Sequence, residues 1–151
     1  MKQFDLLSTT FMIVISMFIS YYVTWNVMLD ENMEYNHLNR VYHSLLMGFI
    51  MGSLEIAMML ISGHRQAYLY ILLAVMVSLS MLFWTLIRKQ TFIGEDEFYK
   101  GMIQHHDAAL FMARRVLKRN DISSNLRTLA NNIILTQTKE INDMKTWLSQ
   151  S

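Results

Sequence analysis

The 151-residue chain contains no cysteine, so disulfides, thiolate metal sites and cysteine nucleophiles are excluded, and any soft sulfur ligand has to be methionine. Proline is absent too and glycine occurs five times, too little turn punctuation for a β-sandwich or a series of strands and crossovers. Charge is also scarce. Only 17% of residues are charged, the net charge is +1 and the basic residues form no long run, which argues against nucleic acid as a partner. What remains is apolar: 53% of residues are hydrophobic, fourteen of them methionine, and the mean hydropathy is positive. That balance at this length predicts an all-α membrane protein.

Three stretches are long enough for a hydrocarbon core that takes about 20 residues of helix. Residues 4–29 are uncharged apart from Asp5. They follow Lys2 as a signal peptide would, but they lack an A-x-A cleavage pattern and run too long, so a retained first span is expected. A polar loop with Asp30, Glu31, Glu34, His37 and Arg40 separates it from a second span at 41–62, whose ionisable residues are His43 and Glu55. After the polar turn Gly63-His64-Arg65-Gln66, residues 67–87 form a third span that ends at Arg88-Lys89. The transmembrane region is therefore 1–89.

Beyond Gly94 charges recur every few residues, and 95–151 read as a separate helical hairpin. Phe98, Met102, His105, Ala109, Met112 and Val116 make one apolar row, and Tyr99, Ile103, His106, Leu110, Ala113 and Leu117 make the adjacent row of one wide inward face. Glu95, Asp96 and Glu97 open this helix and Arg114, Arg115, Lys118 and Arg119 close it, in keeping with the helix dipole. Asn120 suits a left-handed stop. Asp121 or Ser123 would cap the next helix, whose stripe is Leu126, Ala130, Ile133, Gln137, Glu140, Met144 and Trp147. Reflection about roughly residue 120.5 sets His105 and His106 near Gln137 and sets Glu140 near Met102.

His105 and His106 thus stand beside Met102, with Met112 two turns further on. Imidazole and thioether suit Cu(I) and Ag(I), and Cu(II) accepts imidazole. The plainer alternative is a pair of core histidines hydrogen-bonded to Gln137 or Glu140. A di-iron carboxylate bundle is disfavoured, because its Glu-x2-His motif occurs only at Glu34 and His37, in a loop.

The run Phe98, Met102-Ile103-Gln104-His105-His106-Asp107, Ala109, Met112-Ala113, then Leu129-Ala130, Ile133-Ile134, Gln137, Glu140-Ile141, Met144 and Trp147-Leu148, resembles the domain of unknown function 305 (DUF305). Residues 40–51, with Arg40, Tyr42, Leu45, Leu46, Met47, Gly48 and Met51, resemble a subset of that family with three preceding spans. The pattern often has proline where this chain has Gln104, so a straighter helix is expected here. The resemblance implies a CopM-like protein, a ferritin-like helical bundle that binds copper, or silver in its place, through Met and His. It implies Met102, His105, His106, Met112 and Met144 as metal ligands, with Gln137 and Glu140 behind them.

In the second span His43, Met47, Met51, Glu55 and Met58 follow helical steps and read either as a stripe for a soft cation or as packing, while Gly48 and Gly52 leave room for another helix. The expected function is non-enzymatic: a multi-pass protein of a bacterial inner membrane that binds copper for metal handling or tolerance. A subunit of a larger membrane complex without a metal role is the alternative, and a small metal transporter a further one. Lys2 and Arg65 against Arg40, Arg88 and Lys89 lean the hairpin toward the cytoplasm, whereas the resemblance places it periplasmic or extracytoplasmic, the side adopted here. One hairpin is half of a four-helix bundle, so a homodimer or higher homo-oligomer is expected.

Overall fold

The computed structural model describes residues 2–24, 26, 27, 29 and 33–150, with the side chains of 2–6 and 24 left undescribed. All regular structure among them is helical: α1 (Lys2–Phe18), continued by a π-helical turn (Ile19–Thr24), α2 (Leu38–Ile61), α3 (Ala67–Lys89), α4 (Glu95–Leu117) and α5 (Ser124–Leu148). The chain divides into two compact units, Met1–Thr24 with Asn39–Phe92, and Trp25–Leu38 with Ile93–Ser151.

In the first unit the leading helix continues as a π-helical turn over Ile19–Thr24, and the rest of the expected span, to 29, includes residues outside those described. Its last stretch, ISYYVT, is β-branched and aromatic, which restricts side-chain rotamers against the preceding turn, and there the hydrogen-bond ladder loosens into π geometry. The Tyr21 carbonyl instead accepts from Arg40 Nε at 2.7 Å, and the Arg40 guanidinium lies 4.5 Å from the Tyr21 ring centre. Asp30 and Glu31 lie outside the described residues. Gly48 and Gly52 bring α1 onto α2, as their spacing suggested: a Cβ on Gly48 would meet Met17 Cγ at 2.4 Å, and one on Gly52 would meet Ile13 Cδ1 at 2.8 Å. Ser44 Oγ donates to the Met17 carbonyl at 2.7 Å, and Phe49 stacks on Phe83 with centres 5.6 Å apart, which joins α2 to α3. α3 runs to Lys89 and ends where Gln90 turns left-handed (φ 49°), with Arg88 and Lys89 in the last turn, favourable for the dipole.

α2 and α3 are each long and apolar enough to cross a membrane, while 7–23 is a shorter apolar run. Apolar side chains point outward along them. Leu54, Met58, Ile71, Met81 and Trp84 are all more than half exposed.

In the second unit α4 and α5 pack antiparallel around Ile103, Leu110, Ile141 and Met144, flanked by Tyr99, Met102, Ile134 and Leu148. Two corrections to the sequence expectations apply here. Asn120 is not left-handed; α4 ends at a right-handed Lys118, whose N–H donates to the Arg115 carbonyl at 3.3 Å. Ser123 caps α5, accepting from Leu126 N at 3.2 Å, so the turn is longer than assumed and His106 meets Glu140, about five residues beyond the partner that reflection about 120.5 gives it. Arg119, bonded to Asp121 within this turn, holds the Asp121 carboxyl below its ordinary pKa; both are fully exposed.

The second correction concerns the buried face of α4. Its buried residues are Ile103, Gln104, His106, Asp107, Leu110 and Ala113, whereas Phe98, His105 and Met112, from the other expected row, are exposed. The cause is a third layer. Residues 33–38 lie along α4: Met33 and Tyr35 pack on the core, and His37, 3% exposed, donates from Nε2 to Gln104 Oε1 at 2.9 Å. Gln104 Nε2 in turn donates to the Tyr35 carbonyl at 3.0 Å, and the Leu38 N–H donates to the Glu97 carboxylate. The inward face therefore turns toward Gln104 and Asp107. On α5 the buried residues are Ala130, Ile141 and Met144, while Leu126, Glu140 and Trp147 of the expected stripe are exposed.

Candidate metal site in the hairpin

His106 on α4 and Glu140 on α5 meet where the two helices face each other. His106 Nε2 lies 2.7 Å from Glu140 Oε2, and Nδ1 lies 2.8 Å from the Met102 carbonyl one turn back. The ring is thus fixed at both ends, largely buried, while the carboxylate stays in water. Beside it opens a cavity of about 300 Å³ lined by Phe98, Tyr99, Met102, His106, Glu140, Asp143, Met144 and Trp147. The helical repeat explains the grouping: Phe98, Met102 and His106 follow one another at four-residue steps on α4, and Glu140, Asp143, Met144 and Trp147 at three- and four-residue steps on α5.

Of the five ligands implied by resemblance, the structure brings Met102, His106 and Met144 to this cavity and leaves two elsewhere. His105 is exposed, and its ring centre lies 6.1 Å from that of His106 with the planes at 75°. Neighbours on a helix point roughly 100° apart, so the pair does not close on one ion. Met112 is exposed and does not line the cavity. Gln137, expected behind the histidines, has a buried Oε1 without a hydrogen-bond partner, and Glu140 alone takes the supporting role. Asp143 and the aromatic wall of Phe98, Tyr99 and Trp147 were not anticipated as site residues. The signal was present, since Asp143 stands three residues from Glu140 and Tyr99 and Trp147 pair with ring centres 5.7 Å apart.

The donor chemistry is selective. Among the described residues no three His, Asp or Glu side chains gather as a metal cage, so a hard cation finds no complete shell. Two thioethers and one imidazole fit a soft ion instead. Loading His106 Nε2 would replace its bond to Glu140.

In the first unit Met51 and Met47 line a smaller cavity, whereas His43 and Met58 of the proposed stripe are exposed and His43 Nδ1 turns back to the Asn39 carbonyl at 2.9 Å. Glu55 Oε1 accepts from Ser8 at 3.0 Å.

Fold and site define an all-helical protein with a C-terminal helical-hairpin domain. Residues 95–151 match the family described as "Domain of unknown function (DUF305)". The chain is also 31% identical over 115 residues, 76% of its own length and 72% of the relative's, to an uncharacterized protein of Acanthamoeba polyphaga mimivirus. That likeness is longer than the hairpin and so extends into the segment before it. No solved structure matches the chain. The protein belongs to the DUF305 family.

Proposed function

We propose that the protein is a non-enzymatic, membrane-embedded binder of a soft metal ion, Cu(I) or Ag(I), with the hairpin as its binding domain on the extracytoplasmic side. The observation that carries the metal reading is the convergence of Met102, His106 and Met144 on one cavity. The membrane reading rests on α2 and α3. A core helix of a soluble protein buries its apolar surface, yet none of the most apolar window of α3 is buried and only 22% of that of α2. Lipid is the solvent in which such a surface is stable.

The test is competition for Cu(I) between the full-length protein in detergent and a chelator of known affinity. His106→Ala, and Met102→Leu with Met144→Leu, are expected to weaken binding at the hairpin about tenfold or more, with helical content unchanged. His105→Ala and Met112→Leu are expected to leave it unchanged. Equal Cu(I) affinity of parent and His106→Ala would remove the site. A second reading, an accessory membrane subunit without metal, is favoured by the bonds that already satisfy His106; it requires His106→Ala to lower stability and to leave metal uptake untouched.

A further inference from the structure

The hairpin cavity is built in layers. Because α4 and α5 run antiparallel, stepping back along α4 from His106 to Met102 to Tyr99 matches stepping forward along α5 from Glu140 to Met144 to Trp147. Each step is about one helical turn. The layer of His106 and Glu140 is followed by the two thioethers, and these are followed by the aromatic pair Tyr99 and Trp147, all of them lining one cavity. An ion at the sulfurs thus has the imidazole on one side and the rings on the other.

The donors carry no charge when they bind a metal, since the sulfurs are thioethers and a ligating imidazole is neutral. Met144 is 6% and His106 9% exposed, whereas the Glu140 side chain, which holds the imidazole, is 55% exposed. The ion's charge therefore enters a mostly apolar recess with its nearest carboxylate turned to water. Such a charge is costly to bury without a counterpart. The negative face of an aromatic ring is one, it acts within about 6 Å of the ring centre, and indole provides the strongest. Trp147 is three residues from Met144, a rise of about 4.5 Å along the helix, which lies within that reach.

Packing accounts for part of the aromatic layer only. Trp147 meets Tyr99 with ring centres 5.7 Å apart and planes at 45°, which holds the indole across the two helices. Yet Trp147 stays 49% exposed, and about 300 Å³ of cavity remains open where it stands beside the donors. A side chain placed there for core packing would fill that space.

We propose that Trp147 caps the metal site, its indole face lying over a Cu(I) or Ag(I) ion held by Met102, His106 and Met144. This rests on the soft-metal reading of the hairpin and adds to it a cation–π contact that none of the three donors supplies.

The experiment uses Ag(I) and the full chain in detergent. The chain has three tryptophans, so Trp25→Phe with Trp84→Phe leaves Trp147 as the sole emitter. Silver binding, followed by calorimetry, is expected to quench its fluorescence in step with occupancy, and the quenching is expected to vanish when Met102→Leu, His106→Ala and Met144→Leu are added. In the otherwise intact chain Trp147→Leu is expected to weaken Ag(I) binding about tenfold and Trp147→Phe less, with helical circular dichroism unchanged. Silver that binds through the three donors without altering Trp147 emission, or as tightly in Trp147→Leu as in the parent, would overturn the cap and leave the metal reading standing. Silver that ignores the three donors altogether would sink both.

Discussion

Gln104 has both ends of its amide engaged, accepting from His37 Nε2–H and donating to the Tyr35 carbonyl, while it is itself 1% exposed. Gln104→Ala removes both bonds and leaves a buried imidazole nitrogen and a buried carbonyl to find other partners. A loss of about 1–3 kcal/mol is expected, read by chemical denaturation, together with faster amide exchange at 35–38. The same residue shows what single positions disclose. Its departure from the family pattern was visible in the sequence and read as a matter of helix straightness. Its partners were not visible, because His37 sits 67 residues away in a loop where no periodicity links it to α4. His105 and His106 fail to separate in sequence for another reason. Both fit rows of one wide apolar face, and only the position of the third layer decides which points inward.

Among the elements, the contact of α1 with α2 is the most constrained. Gly48→Val would place its Cβ 2.4 Å from Met17 Cγ and 3.2 Å from the Ile13 carbonyl; the methionine can swing away but the backbone oxygen cannot. An overpacking cost of about 1–3 kcal/mol is expected, seen as a lower thermal midpoint in detergent, whereas Gly94→Ala, with open space around it, should cost less than half as much. The boundaries of α2 to α5 were legible within about three residues, because polar turns and charged ends mark them. The π-helical stretch Ile19–Thr24 was not, since hydropathy runs unbroken through it. The left-handed stop likewise went to Gln90 rather than Asn120, since the longer turn at 118–123 ends α4 without it.

At the scale of the whole molecule, the family and the all-helical composition were readable from sequence, and so were the hairpin helices. The discontinuous second unit was not, since Trp25–Leu38 belong to it although α2 and α3 separate them from α4 in sequence. That unit also changes the argument for a homodimer. Met33 and Tyr35 supply part of the cover that the wide face of α4 requires, and Phe98 and Met112 stay outside. The proposed membrane-embedded dimer predicts a chain that resists alkaline carbonate extraction and has twice the monomer mass in mild detergent. Release into the soluble fraction would refute the membrane reading, and a monomer mass the dimer.

The layer formed by residues 33–38 also sets a schedule for synthesis. His37 is translated 67 residues before the Gln104 it bonds. At about 5–20 residues per second, that is an interval of roughly 3–13 s during which α2 and α3 are made. Throughout it the segment carries its imidazole, tyrosine and methionine with no surface to receive them. A ribosome stalled before α4 would therefore display an uncovered segment, and a hairpin translated as a separate chain would lack its third layer until that segment was supplied in trans.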